Sequence, residues 1–109
     1  MATDAEYMEF VAGQISKAGN ITYRKMFGEY GVYCDGIFFG TVENNQFYIK
    51  ITVGGQKFMP DAVIDSPHEG ARYFRIEELD NEEFLKNIIQ ITCSELPPPK
   101  PKKRKKQSD

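Results

Sequence analysis

Chemistry in this 109-residue sequence would have to start from one histidine, His68, two cysteines, Cys34 and Cys93, and a few adjacent carboxylates. A hydrolytic nucleophile needs a base, and the imidazole that could serve lies in Ser66-Pro67-His68-Glu69-Gly70. Pairing it with Cys34 meets an obstacle, because Asp35 is a negative neighbour that disfavours the thiolate. The cysteines stand 59 positions apart, without metal-type spacing, and one histidine cannot complete a tetrahedral set with them. Gly54-Gly55-Gln56-Lys57 lacks the Gly-x-x-x-x-Gly-Lys-Ser/Thr frame of a phosphate cradle and reads as a flexible loop. Gly28-Glu29-Tyr30-Gly31 reads as a tight hairpin turn, and Glu29 would turn a negative charge on any phosphate held there. Glu77-Glu78 and Glu82-Glu83 bracket a helix start, where the helix dipole favours acidic side chains. No catalytic residue, metal ligand or cofactor is therefore assigned, and the chain reads as a binding or regulatory module.

Basic and aromatic residues interleave at Tyr23, Arg24, Lys25, Tyr30, Tyr33, Tyr48 and Lys50. Sheet faces of this texture stack bases in single-stranded nucleic-acid binders. They also form protein contacts or plain solvated surface, and no Lys/Arg-Gly-Phe/Tyr-Gly/Ala-Phe-Val pattern singles out the first reading. Charge argues against it too: residues 1–96 hold 8 Lys or Arg against 15 Asp or Glu, whereas residues 97–109 hold 6 against 1.

The elements that position these residues follow from periodicity. Thr3-x-x-Glu6 has capping-box spacing, and Met8, Val11, Ile15 and Ala18 recur at helical intervals, predicting a helix over 4–18 that Gly19-Asn20 ends. Strands are predicted near 22–27, 30–34, 37–42 and 46–51. Asp35-Gly36 and, less strongly, Asn44-Asn45 supply two-residue turns. Alternation of Phe47, Ile49 and Ile51 with Tyr48 and Lys50 gives one apolar face, which needs a helical cover. Residues 52–71 read mostly as loop, with a turn or two of helix at best between Gln56 and Ile64. A fifth strand follows at 71–76. Asp80 with Glu83 then opens a helix carrying Phe84, Leu85, Ile88, Ile91, Thr92 and Leu96 on one face, and Pro97-Pro98-Pro99 stops it.

The expected fold is α+β: an antiparallel β-meander of about five strands, with N-terminal and C-terminal helices packed on one face. One domain over 1–96 suits the length and the 40% apolar content. Residues 97–109 lack any aliphatic or aromatic side chain and read as a disordered Pro/Lys-rich tail. Strictly apolar runs do not exceed three residues, so no membrane span or export signal is expected, and the cytoplasm is the expected compartment. The cysteines then read as reduced, buried and unbridged.

Arg24-Lys25-Met26-Phe27-Gly28-Glu29-Tyr30-Gly31-Val32-Tyr33 resembles the Arg-Lys-Met-Phe-Gly-Gly-Tyr-Gly-Leu-Tyr signature of the TfoX/Sxy family, in the N-terminal domain of those bacterial regulators. Asp35-Gly36 before Ile37-Phe38-Phe39, and Phe47-Tyr48-Ile49-Lys50, resemble the family's next turn and strands. Pro67-His68-Glu69-Gly70-Ala71-Arg72 and the Pro/Lys tail are similar to those of its short, single-domain members. Longer members carry a second, helical domain. The resemblance implies a non-enzymatic role, switching on DNA-uptake or related genes through contact with a transcription activator or the transcription machinery. Within the signature, Gly28 and Gly31 are expected to permit a sharp reversal, while Met26, Phe27, Val32 and either Tyr30 or Tyr33 alternate into the core. Arg24, Lys25, Tyr30 and Tyr33 are the expected partner surface. The alternative is sequence-independent nucleic-acid binding through Lys100, Lys102, Lys103, Arg104, Lys105 and Lys106, with a log K against log salt slope of about −5 on duplex DNA.

Overall fold

The computed structural model describes residues 3–98. The chain runs α1 (Ala5–Gln14), a 3-10 turn (Ser16–Ala18), β1 (Ile21–Met26), β2 (Glu29–Cys34), β3 (Ile37–Glu43), β4 (Gln46–Lys50), α2 (Val53–Phe58), β5 (Val63–Asp65), β6 (Tyr73–Ile76) and α3 (Glu82–Ser94). All six strands join one antiparallel sheet in the order β1-β2-β3-β4-β6-β5. The α+β class, the meander and the helices at both ends agree with the sequence. The sixth strand does not: β5 forms inside the segment expected to be loop, and β6 inserts between it and β4.

Two-residue turns set the register of the meander. Asp35 and Gly36 have φ of 52° and 83°, and Asn44 and Asn45 have 55° and 56°, as a type I′ hairpin turn requires. The first turn corrects the sequence reading by one residue. It is Phe27-Gly28, at φ 52° and 83°, so Phe27 stands at the hairpin tip, fully exposed, instead of entering the core. Gly31 makes no turn; it lies within β2 opposite Arg24 and Thr41. Its role is space, because a Cβ there would sit 2.6 Å from Met26 Cε and 3.2 Å from Phe38 Cε1.

From this register, Val32, Val42, Phe47, Ile49, Phe74 and Ile76 face the helices and are buried. A bulge between Val32 and Tyr33 adds Phe39 to the same core, where it meets the Phe47 ring edge-on at 6.3 Å. The helices supply Met8, Val11 and Ile15 from the N-terminal side and Leu85, Ile88 and Ile89 from α3, all fully buried. Thr92, at the same depth, satisfies its hydroxyl by donating to the Ile88 carbonyl at 2.7 Å.

Both predicted helix caps shift by one residue. The N-cap of α3 is Asn81, whose side chain accepts from the Phe84 N–H at 3.0 Å, and not Asp80. At α1 the N-cap is Asp4, which makes no side-chain cap bond. Thr3 does other work: its hydroxyl donates to the Glu29 carboxylate and accepts from the Asn45 N–H, and its own N–H donates to the Gly28 carbonyl. Glu29 also accepts from the Asn44 N–H. Thr3 thus ties together two hairpin tips. Helix α2 overturns the loop reading of Gly54-Gly55. Thr52 caps it, and the Gly54 N–H donates to Glu95 at the end of α3. A Cβ on Gly54 would strike that carboxylate and Ile91.

The Thr3 tie gives the first prediction. Thr3→Val keeps the shape but removes the hydroxyl's two bonds, and is expected to lower stability by about 1–2 kcal/mol, read as a lower urea midpoint at unchanged m. An unchanged midpoint would show that the tie carries no stability.

Candidate functional site

The face of the sheet away from the helices is not plain solvated surface. Pairing places Thr41 opposite Gly31 and Tyr48, and Glu43 opposite Gln46, and Thr41, Glu43 and Tyr48 are all at least nine-tenths buried. Over Glu43 the cover comes from the loop between β5 and β6. Ser66 holds that loop closed, donating its hydroxyl to the carbonyls of His68 and Ala71, and Gly70 turns it at φ 84°. His68 is thereby brought over Glu43, its Nδ1 lying 3.0 Å from both carboxylate oxygens. An ionised carboxylate only accepts, so Nδ1 carries the proton of this bond. Tyr73 packs edge-on to both His68 and Tyr48. Burial, and secondarily the negative charge of Glu43, push its phenol pKa up, so it remains a neutral hydroxyl.

Between these groups lies a cavity of about 450 Å³, lined by Met26, Phe27, Tyr30, Phe38, Thr41, Glu43, His68 and Tyr73. Met26 and Phe38 can lie flat on the sheet because Gly31 beneath them has no side chain. Sequence reading missed this site. Its one signal was Gly31, small at mid-strand between bulky neighbours, and the His68 partner comes from 25 residues away.

The residues singled out in the sequence separate in space. Arg24 and Lys25 are exposed on β1, at the sheet edge, and Phe27-Gly28 forms the tip. Tyr33 is half-buried against Phe38, and Met26 lines the cavity. Tyr30 is 7% exposed and packs edge-on to Tyr23, so it belongs to the core and not to an offered surface. Tyr23 and Tyr30 share the helix-facing side, whereas Arg24, Tyr33 and Tyr48 lie on the other, so the interleaved aromatics form no single stacking platform. The basic residues 100–106 lie outside the described residues.

Cys34 and His68 stand on opposite faces of the sheet and cannot converge. Cys34 meets the Ala18 carbonyl at 3.7 Å and the Cys93 thiol of α3. Burial first, then the Asp35 charge, raise the Cys34 pKa; burial and the neighbouring Cys34 push Cys93 up to about 12. Both thiols are free. Among the described residues no cluster of His, Cys, Asp or Glu is arranged to hold a metal ion, and no helix is long and apolar enough to cross a membrane.

The signature hairpin, the two following turns and the helix-covered meander occupy the stretch matched by the family model of the TfoX N-terminal domain, residues 13–92. The chain belongs to this family. The TfoX N-terminal domain family is not a known enzyme family. The chain is also similar to an uncharacterized 12.7 kDa protein in the trpE 5′ region of Spirochaeta aurantia, 34% identical over 107 residues, covering 96% of this chain and 93% of that one. Where the signature carries its second Gly, this TfoX-type domain has Glu29, whose φ is negative and whose carboxylate makes the Thr3 tie.

The thiol environments give the second prediction. In the folded protein at pH 8, Cys34 and Cys93 are expected to react with a thiol reagent at least about a hundredfold more slowly than in the unfolded chain. Comparable rates in the two states would show that the thiols are not held as described.

Proposed function

We propose that this TfoX N-terminal domain is a non-enzymatic regulatory module that works by protein contact, with the β1–β2 hairpin as its docking element and a transcription activator or the transcription machinery as the partner class. The observation that supports this reading most is Phe27. A bulky residue at positive φ costs about 1–2 kcal/mol against Gly or Asn, and its ring, fully exposed, makes no compensating burial. A residue that costs stability in the free protein and recovers none by burial is explained by a gain made elsewhere, and an aromatic anchor entering a partner's pocket supplies one. Arg24 and Lys25 flank it as exposed cations on an otherwise acidic body, suited to orient an acidic partner surface. Family membership supplies the regulatory context, since TfoX-type proteins resemble competence regulators that act with an activator.

Phe27→Asn places a residue favoured in type I′ turns at the tip. It is expected to raise stability by about 1 kcal/mol while abolishing partner retention. Arg24→Glu with Lys25→Glu should also abolish retention at unchanged fold. The measurement is affinity capture from extract of the producing cells, alongside thermal melts of each variant. Recovery of the same partners by wild type and both variants would dismiss the hairpin as the docking element.

A further inference from the structure

A groove lies at the β5 edge of the sheet, the edge opposite the β1–β2 hairpin. Its space, about 370 Å³, opens between the Met59–Ala62 turn, the end of β6 and the first turn of α3. The walls are apolar. Phe58 stacks on Phe84 with ring centroids 5.6 Å apart, and Val63 of the edge strand lines the same space. Phe58 and Val63 are 40% and 43% exposed, so nothing within the described residues covers the groove. Its mouth is acidic: Asp61, Glu77 and Glu78 stand against one cation, Arg75, whose guanidinium is held by Asp65 at 3.0 Å and by Glu77 at 2.9 Å. Asp61 and Glu78 are exposed and make no ion pair among the described residues. Lys57 of α2 is not part of the lining.

Aromatic walls beside unpaired carboxylates fit an extended segment that carries both prolines and cations. Proline-rich chain is already extended and lies on aromatic rings at small entropic cost, while cations complement the acidic rim. This chain carries such a segment next to the groove. Helix α2 runs antiparallel to α3, with Gly54 against Ile91 and Glu95 and Phe58 against Phe84. Residues 97 and 98 therefore follow the end of α3 that holds the start of α2. The chain bends at Leu96, which packs on the core, and so leaves the axis of α3 there. From Glu95 back to Phe84 the helix spans about 16 Å. Pro97-Pro98-Pro99-Lys100-Pro101 favours a backbone that advances about 3.1 Å per residue, which puts Pro101 about 16 Å from Leu96. Directed back along α2 and α3, the segment brings Pro101 level with the Phe58–Phe84 pair and Lys102-Lys103-Arg104-Lys105-Lys106 to the acidic mouth just beyond it.

We propose that the groove between α2, α3 and the β5 edge is the docking site of this chain's own segment 99–106, with Pro101 on the Phe58–Phe84 pair and the following cations against Asp61 and Glu78. Seated there, the cations are withheld from other polyanions. The contact uses neither Phe27 nor Arg24 and Lys25, which lie at the far edge of the sheet, so its failure leaves the hairpin reading untouched and the reverse also holds.

The test uses the full chain with Ser108→Cys, labelled at that thiol with a nitroxide under native conditions, and reads the loss of amide signal in two-dimensional NMR. The amides of Asp61, Ala62, Glu78 and Phe84 are expected to lose more signal than those of Glu95 and Leu96 at the root of the segment. That excess should vanish in about 1 M salt, where charges are screened beyond about 3 Å. It should vanish also in Asp61→Asn with Glu78→Gln, whose exposed side chains leave the fold intact. Loss that is greatest at the root and falls off evenly around it would overturn the proposal, as would an undiminished excess in the double variant or in high salt. Equal loss in isotope-labelled chains without nitroxide, mixed with nitroxide-bearing ones, would overturn it too, because the segment would then dock on a second copy.

Discussion

Everything in this domain depends on the register of the β1–β4 meander, and that register is held at three places. The six central residues of its turns, Phe27-Gly28, Asp35-Gly36 and Asn44-Asn45, all have positive φ. Such turns match the twist of the strands they join and leave no freedom to slide. Side chains alternate with period two, so a one-residue slip of a strand would reverse its faces, sending Val42 of β3 or Phe47 of β4 outside and Thr41 and Glu43, or Tyr48, beneath the helices. Core and cavity are thus two outcomes of one constraint, and the Thr3 contacts to Glu29 and Asn45 reinforce it where two of the turns meet.

Much of this was legible in the sequence because the local chemistry was unambiguous. Asp-Gly and Asn-Asn announce left-handed backbone, and the recurrence of Met8, Val11 and Ile15 marks a helical stripe. The turn that the sequence misplaces lies where the chain breaks that chemistry: Phe is an improbable occupant of a left-handed position, so local rules put Gly28 with Glu29, whereas the fold puts it with Phe27. Helix α2 and strand β5 were hidden for a different reason. Two glycines in succession lower helix propensity by about 1 kcal/mol each, and the compensation comes from close approach to Glu95, Ile91 and Phe74, which tertiary structure alone provides.

The cavity was the least legible part. Thr41 and Glu43 look like the polar half of an alternating strand, and nothing local says that they are covered. The cover over Glu43 depends on the Ser66–Ala71 loop folding back, and that fold depends on hydrogen bonds from one serine hydroxyl and on a left-handed glycine. His68, in a segment that reads as loop, becomes a positioned side chain through the same geometry. The family signature spans this boundary. Gly31 and Met26 shape the cavity, Tyr30 and Val32 fill the core, and Arg24, Lys25 and Phe27 remain outside.

The Thr3 tie has a consequence for the order in which the domain assembles. Its partners Glu29 and Asn45 lie 26 and 42 residues further along the chain. During synthesis the first helix therefore emerges from the ribosome long before any surface exists to receive it, with Met8, Val11 and Ile15 uncovered. The segment of Thr3 and α1 is made before its partners and docks after them, so a nascent chain stalled before β4 would present this stripe to chaperones or to neighbouring chains.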